Sequence, residues 1–202
     1  MNGVAIPYGA YWSTPFARWQ GSLAHLHSVR FAAHVARNAL ERRGIPAEAF
    51  DFGVLGISVP QRSSFFGLPW LGGLIGAPTL AGPTVSQACA TGARALRAAV
   101  AEITEGAART VLVVTTDRTS NGPHLYYPAP DGPGGTGEHE NWILDNFERD
   151  PWAGFAMVET ADRVAARHRI STARQHEVVL ERYAQYAEAL DNDSAFLRRF
   201  MD

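Results

Sequence analysis

The run Ser86-Gln87-Ala88-Cys89-Ala90-Thr91-Gly92-Ala93-Arg94-Ala95-Leu96 holds the only cysteine of the chain. Small residues on both sides let another group approach the sulfur, and the chemistry on offer is nucleophilic attack on an electrophilic carbon. Upstream, Ala81-Gly82-Pro83-Thr84-Val85 reads as the end of a short extended run; downstream, alanine, leucine and valine recur at helical spacing through Val100. Cys89 is therefore expected in the first turn of a helix, where unpaired N–H groups and the positive end of the dipole favour a negative sulfur. The same N–H groups, that of Cys89 among them, suit a carbonyl oxygen that gains charge during attack. The competing reading of a lone cysteine is a small, inert core residue.

Other candidate groups carry less. His25 and His27 lie two apart, as ligands on a strand would, but no third ligand is near in the sequence, so no metal site is expected and both are read as surface or helix-start residues. Glu138-His139-Glu140 reads as solvated, with the mouth of a substrate tunnel as the alternative. Gly132-Pro133-Gly134-Gly135 is not a phosphate loop, since no strand leads into it and no suitably spaced helix follows. Trp142, Phe147, Trp152 and Phe155 read as packing residues, with contact to an apolar ligand as the lesser reading.

These groups must be positioned by two stretches of different texture. From Val4 to about Thr116, extended and helical patterns alternate: Val4-Ala5-Ile6, a helix across Val29 to Arg43, an extended run from Phe52 to Ile57, an apolar segment from Phe65 to Ile75, the Cys89 helix, then Val111 to Val114. Such alternation predicts an α/β fold with a sheet covered by helices. Arg42, Arg43, Gly44 and Pro46 form a helix stop. Ser120 to Gly137, with Pro123, Pro128, Pro130, Pro133 and five glycines, reads as one long loop. Helical periodicity returns over Pro151 to Val164 and Thr172 to Leu190.

Composition bounds the function. With 202 residues, 46% hydrophobic and 19% charged, the chain can bury a sizeable core. A net charge of -2 argues against a nucleic-acid partner or a charged membrane surface. All 18 basic residues are arginine, which excludes a P-loop lysine and Schiff-base chemistry from this chain. One cysteine permits no internal disulfide and no cysteine metal cluster, so a reducing, cytoplasmic setting is expected. No apolar run approaches the ~20 residues of a membrane span, and no signal-peptide profile opens the chain.

The stretch around Cys89 resembles the nucleophile motif of the thiolase superfamily, in which a cysteine followed by two small residues and a glycine opens a buried helix. Ala88-Cys89-Ala90-Thr91-Gly92 is similar as well to the active cysteine of β-ketoacyl synthases, which share that fold. Further matches favour thiolase. Thr14-Pro15-Phe16-Ala17-Arg18-Trp19 with Gly21-Ser22-Leu23 resembles the N-terminal thiolase segment, and its distance to the cysteine suits a thiolase. Met157-Val158-Glu159-Thr160-Ala161-Asp162-Arg163-Val164-Ala165 with His168-Arg169-Ile170-Ser171 resembles the segment that precedes a long helix in the thiolase loop domain. The chain departs from the family at Ser86, where asparagine is common, at Ala156, where short-chain thiolases often have histidine, and at Val158, where glycine is usual. These changes leave the nucleophile in place and bear on the acetoacetyl substrate.

The resemblance implies a layered α-β-α thiolase fold, represented by its N-terminal half and part of the loop (lid) domain, with residues 1–118 as the core and 119–202 as an incomplete loop domain. It implies a thiolase-type acyltransferase in which Cys89 attacks an acyl-CoA thioester and carries the acyl group, cleaving a 3-ketoacyl-CoA or condensing two acyl-CoAs. Coenzyme A would be substrate or product, with no permanently bound cofactor, and Met157, Ala156 and Phe155 would contact the acyl group. The family's histidine base, its second cysteine and its asparagine-held oxyanion water belong to HEAF-like, GHP and CxG motifs, none of which occurs here. The expectation is a fragment of a longer protein or one subunit of a split thiolase, working with the missing C-terminal half as a homo- or hetero-oligomer; a truncated homologue without catalysis is the third reading. Two other functions stay open at this point: a non-catalytic interaction subunit, and a β-ketoacyl synthase acting on carrier-protein substrates.

Overall fold

The structure, a computed structural model, describes residues 3–201; Met1, Asn2 and Asp202 lie outside the described residues. The chain divides into two compact units, one running to Pro123 and the other spanning His124–Met201.

The first unit is built on a parallel three-stranded sheet in the order β2-β1-β3, formed by β1 (Phe52–Gly56), β2 (Thr84–Val85) and β3 (Val111–Thr115). Parallel neighbours need long crossovers, and helices supply them: α2 (Leu68–Ile75) lies between β1 and β2, and α3 (Thr91–Thr104) between β2 and β3. Strand alternation then assigns the two faces. Leu55, Leu112 and Val114 are buried with Val29, Ala33 and Ala36 of α1 (Ser28–Arg42) and with Leu68, Leu71 and Ile75 of α2. Val54 points the other way and is buried with Ala95 and Ala99 of α3. Both faces of β1 are thus covered, which is why it reads as a continuous apolar run.

Local sequence fixes the ends of these elements. The α1 stripe Val29, Ala33, Ala36 and Leu40 is buried on one face, and the helix stops where Gly44 takes a φ of +63° ahead of Pro46. Asp51 accepts hydrogen bonds from the N–H groups of Thr110 (3.0 Å) and Arg109 (3.1 Å), tying the start of β3 to that of β1; these donors hold its carboxyl below the usual range. The first N–H of α2, on Leu68, is capped from a distance by Thr84 Oγ1 at 3.1 Å.

Gly82, just before β2, has a φ of +146°, and a Cβ there would overlap the carbonyl of Gly53 on β1. Gly82→Ala therefore meets both a backbone strain and a steric clash at the sheet. It should cost about 3 kcal/mol, lowering the thermal midpoint by roughly 6–12 °C in a calorimetric scan. A midpoint within about 2 °C of wild type would contradict this close approach.

The second unit opens with an antiparallel pair, β4 (His124–Tyr127) and β5 (Glu138–Asn141), with Tyr126 opposite His139. It continues through α4 (Leu144–Glu148), α5 (Met157–Arg167) and α6 (Thr172–Ala189). Ser171 caps α6 by accepting the Arg174 N–H at 3.2 Å.

Three expectations are corrected. The stretch from Ser120 to Gly137 is not one long loop: Pro123 and Pro128 bracket β4 rather than break it, and Tyr126 and Tyr127 fill it with residues that favour strands. Val4-Ala5-Ile6 forms no strand, and Ile6 is exposed; three apolar residues without a paired neighbour have no ladder to hold them extended. The helical periodicity from Pro151 becomes helix only at Met157, because Asp150 captures the N–H groups of Trp152 and Ala153 (2.8 Å each) in a turn. The helices expected across Val29 to Arg43 and Thr172 to Leu190, and the strands at Phe52 and Val111, form within a residue or two of their expected ends.

Candidate active site

Cys89 is exposed, which removes the inert-core reading. It does not lie in the first turn of an α-helix, as the spacing predicted, but in a single 3-10 turn, Ala88–Ala90, that feeds α3. The reason lies one residue upstream. Ala88 has a φ of +43°, a left-handed conformation that costs a residue with a Cβ roughly 1–2 kcal/mol, so regular helix cannot begin before it. None of the turn's backbone hydrogen bonds uses the Cys89 N–H among the described residues; the Ala90 N–H closes the turn onto the Gln87 carbonyl at 2.9 Å.

Hydroxyl groups hold this conformation. Thr91, 6% exposed, accepts the Gln87 N–H at 2.7 Å and donates to the Ala88 carbonyl at 2.8 Å, so its side chain closes the turn from inside. Ser58 Oγ lies 3.0 Å from Thr91 Oγ1 and donates to the Ala88 carbonyl at 3.2 Å. Behind Ser58, one oxygen of Asp117 accepts the N–H groups of Ser58 (2.9 Å) and Val59 (2.7 Å). Burial pushes the Asp117 carboxyl above its usual range, against these two N–H donors, which pull it down.

Ser58 and Asp117 each stand two residues past the end of β1 and β3, and Cys89 four past the end of β2. All three therefore sit at the carboxyl ends of neighbouring parallel strands, where open α/β sheets place their ligands. In the sequence Thr91 lies inside the cysteine motif with no role of its own, and Ser58 and Asp117 stand in no motif. Their polar types directly after apolar strands were the available signal.

The other expected site residues lie in the second unit. Ala156 is the N-cap residue of α5 and Met157 its first helical residue, 42% exposed; the Ala156 carbonyl accepts from the Thr160 N–H at 3.1 Å. Phe155 is half-buried, with the Arg163 guanidinium 4.0 Å above its ring, and Arg163 is in turn paired with Glu159. Cys89 thus belongs to one unit and the Phe155, Ala156 and Met157 group to the other.

His27 is the N-cap residue of α1, and its Nε2–H donates to the Arg62 carbonyl at 2.7 Å while the ring meets Trp70 edge-on, which fits a helix-start residue. His124 and His139 approach to 3.3 Å on the β4–β5 hairpin, but no group of three potential metal ligands occurs among the described residues. No helix among the described residues is long and apolar enough to cross a membrane.

A family model described as "Thiolase, N-terminal domain" matches residues 10–197, nearly the whole chain and both of its units. The chain belongs to the thiolase family. Among curated proteins it is similar to the mitochondrial acetyl-CoA acetyltransferase of Xenopus tropicalis, 26% identical over 95% of this chain and 45% of that one, and to the probable acetyl-CoA acetyltransferase of Escherichia coli K12, 25% identical over 88% and 46%. Among solved structures it is similar to the acetyl-CoA acetyltransferase of Syntrophomonas wolfei (TM-score 0.78, 28% identity, 93% of this chain and 48% of that chain). The human mitochondrial 3-ketoacyl-CoA thiolase solved with CoA shares the fold at a TM-score of 0.81 and 23% identity, with the same coverage. The expected thiolase-like α/β fold is therefore the observed one, and this thiolase chain spans about half the length of the relatives it matches.

Proposed function

We propose that this chain supplies the nucleophile half of a thiolase-type acyltransferase. The observation that carries the reading is the exposed Cys89, the chain's only cysteine, presented at the carboxyl ends of the strands of a thiolase-family fold. The Cys89 thiolate attacks the thioester carbonyl of an acyl-CoA; the C–S bond to coenzyme A breaks, CoA leaves as its thiolate, and the acyl group stays on the Cys89 sulfur. In the degradative direction the electrophile is the 3-keto carbon of a 3-ketoacyl-CoA: the C2–C3 bond breaks, the acetyl-CoA carbanion takes up a proton, and CoA thiol then accepts the acyl group and gives up a proton in its turn. In the synthetic direction a second acyl-CoA enolate takes the acyl group. One difficult carbon–carbon step is divided into two acyl transfers. The Cys89 N–H is one donor to the oxyanion that forms on attack. The names of the similar proteins, acetyl-CoA acetyltransferases and a thiolase crystallised with CoA, support acyl-CoA and CoA as substrates. The match to the thiolase N-terminal domain favours this reading over a carrier-protein condensing enzyme.

Phe155, Ala156 and Met157 are proposed as acyl-contacting residues, on their place in the loop-domain motif. Alanine at 156, where short-chain thiolases often carry histidine, leaves room and removes a hydrogen-bonding ring, so longer, branched or aromatic acyl groups should be preferred. Incubation with acyl-CoAs of increasing length, followed by peptide mass mapping, should place the acyl group on Cys89 fastest for the larger ones. Each methylene is worth about 1–3 kcal/mol in such a pocket, roughly tenfold or more in rate, and Ala156→His should shift the optimum toward the two-carbon group. An optimum at two carbons unchanged by Ala156→His would reject the assignment of residue 156, and acylation at any other residue would reject the nucleophile.

A further inference from the structure

We infer that Thr91 is a positioning residue for Cys89, and that Ser58 and Asp117 extend its support to the sheet. The inference rests on the reading of Cys89 as nucleophile and adds the device that presents it. Left to backbone preference, Ala88 would not hold a φ of +43°, and residues 88–90 would relax into the helix that the sequence spacing predicts. Relaxed in that way, residues 88–90 would become the first turn of α3, and the Cys89 N–H and sulfur would be re-aimed with the backbone. Thr91 prevents this by holding the two backbone groups that flank the strained residue, the Gln87 N–H and the Ala88 carbonyl, on a single hydroxyl. A hydroxyl is required, because the group must accept from one and donate to the other.

The hydroxyl is itself fixed. Thr91 is buried, and its methyl group lies where a side chain on Gly56 would fall: a Cβ there would meet Thr91 Cγ2 and Thr115 Cγ2, each at 2.9 Å. The missing side chain at the end of β1 is what lets Thr91 seat against the sheet. Ser58 Oγ, 3.0 Å away, and Asp117 behind it connect the turn to the ends of β1 and β3, so the backbone that carries the sulfur is tied to the sheet. Helix capping alone does not explain the arrangement, since Thr91 acts as the first residue of α3 and reaches backward over the turn that carries the cysteine.

The test uses Cys89 as its own reporter, because as the only cysteine it is the only thiol to label. Rates of alkylation by iodoacetamide and of acylation by an acyl-CoA are measured on the 202-residue chain for wild type, Thr91→Val, Thr91→Ser and Ser58→Ala, with the thermal midpoint of each. Valine keeps the shape of threonine and removes the hydroxyl. Thr91→Val should change the alkylation rate at least fivefold and lower the acylation rate at least tenfold, whereas Thr91→Ser should return both to within about twofold of wild type. Ser58→Ala should fall between them. Wild-type rates in Thr91→Val overturn the proposal, as does a Thr91→Ser variant that fails as badly as valine, which would mark a packing role. If no acyl-CoA labels the wild type, the acyl-carrier reading fails by itself, and the alkylation series still decides whether Thr91 positions the thiol.

Discussion

Cys89→Ser should lower turnover of the assembled enzyme by about 10⁴-fold or more while the fold persists. A serine hydroxyl at the same place remains almost wholly protonated at neutral pH, and an alkoxide leaving group makes a poor relay between two thioesters. The sulfur is exposed on a surface turn, so its replacement by oxygen removes no core volume and should change stability by less than about 0.5 kcal/mol. The measurement is CoA-thiol release in steady state, beside a thermal scan of the same preparation. The serine variant should also lose the acyl mass that wild type acquires from an acyl-CoA. A serine variant within tenfold of the wild-type rate would remove Cys89 from the chemistry, whatever the fold.

The physical origin of each element decides how far it could be read in advance. The stripe Val29, Ala33, Ala36 and Leu40 and the strand Val111 to Val114 are burial patterns within one segment, and such patterns are visible in a sequence. The strand within the expected Ser120 to Gly137 loop is hidden locally, because Pro123 and Pro128 signal breaks yet stand only at its edges, and β4 exists through its pairing with β5, a contact with residues 138–141. The cysteine was legible from its small neighbours and from the motif. Its turn was not, because the left-handed Ala88 is imposed by Thr91 and by Ser58, 30 residues away along the chain. Asp117 reaches Ser58 across 59 residues, between two strand ends whose adjacency is a property of the sheet order. Hydrophobic pattern thus reports the scaffold, while the site depends on polar contacts between strand ends that no local window contains.

The purified 202-residue chain should show no thiolase turnover, and adding its complementary half, as a separate polypeptide or in fusion, should restore it. Thiolase chemistry by resemblance uses two cysteines, one to carry the acyl group and one to move the proton in the other half-reaction; this chain has one. The chain has no second thiol for that part, so on the proposed function the acid/base of one half-reaction is supplied by another segment. Surface chemistry points the same way. In α6, 18 residues long and with none buried, Val179, Leu180, Tyr183 and Tyr186 are 56–71% exposed, an apolar surface that calls for a cover. Without the partner the acyl-enzyme can still form on Cys89, but the second thiol that the reaction would use is missing from the chain, so the expected behaviour is a single slow acylation and then arrest. With it, turnover should rise by at least the 10²–10⁴-fold that a positioned acid/base contributes. Stopped-assay CoA release with and without the second half is the measurement; sustained turnover by the chain alone would refute the division of labour.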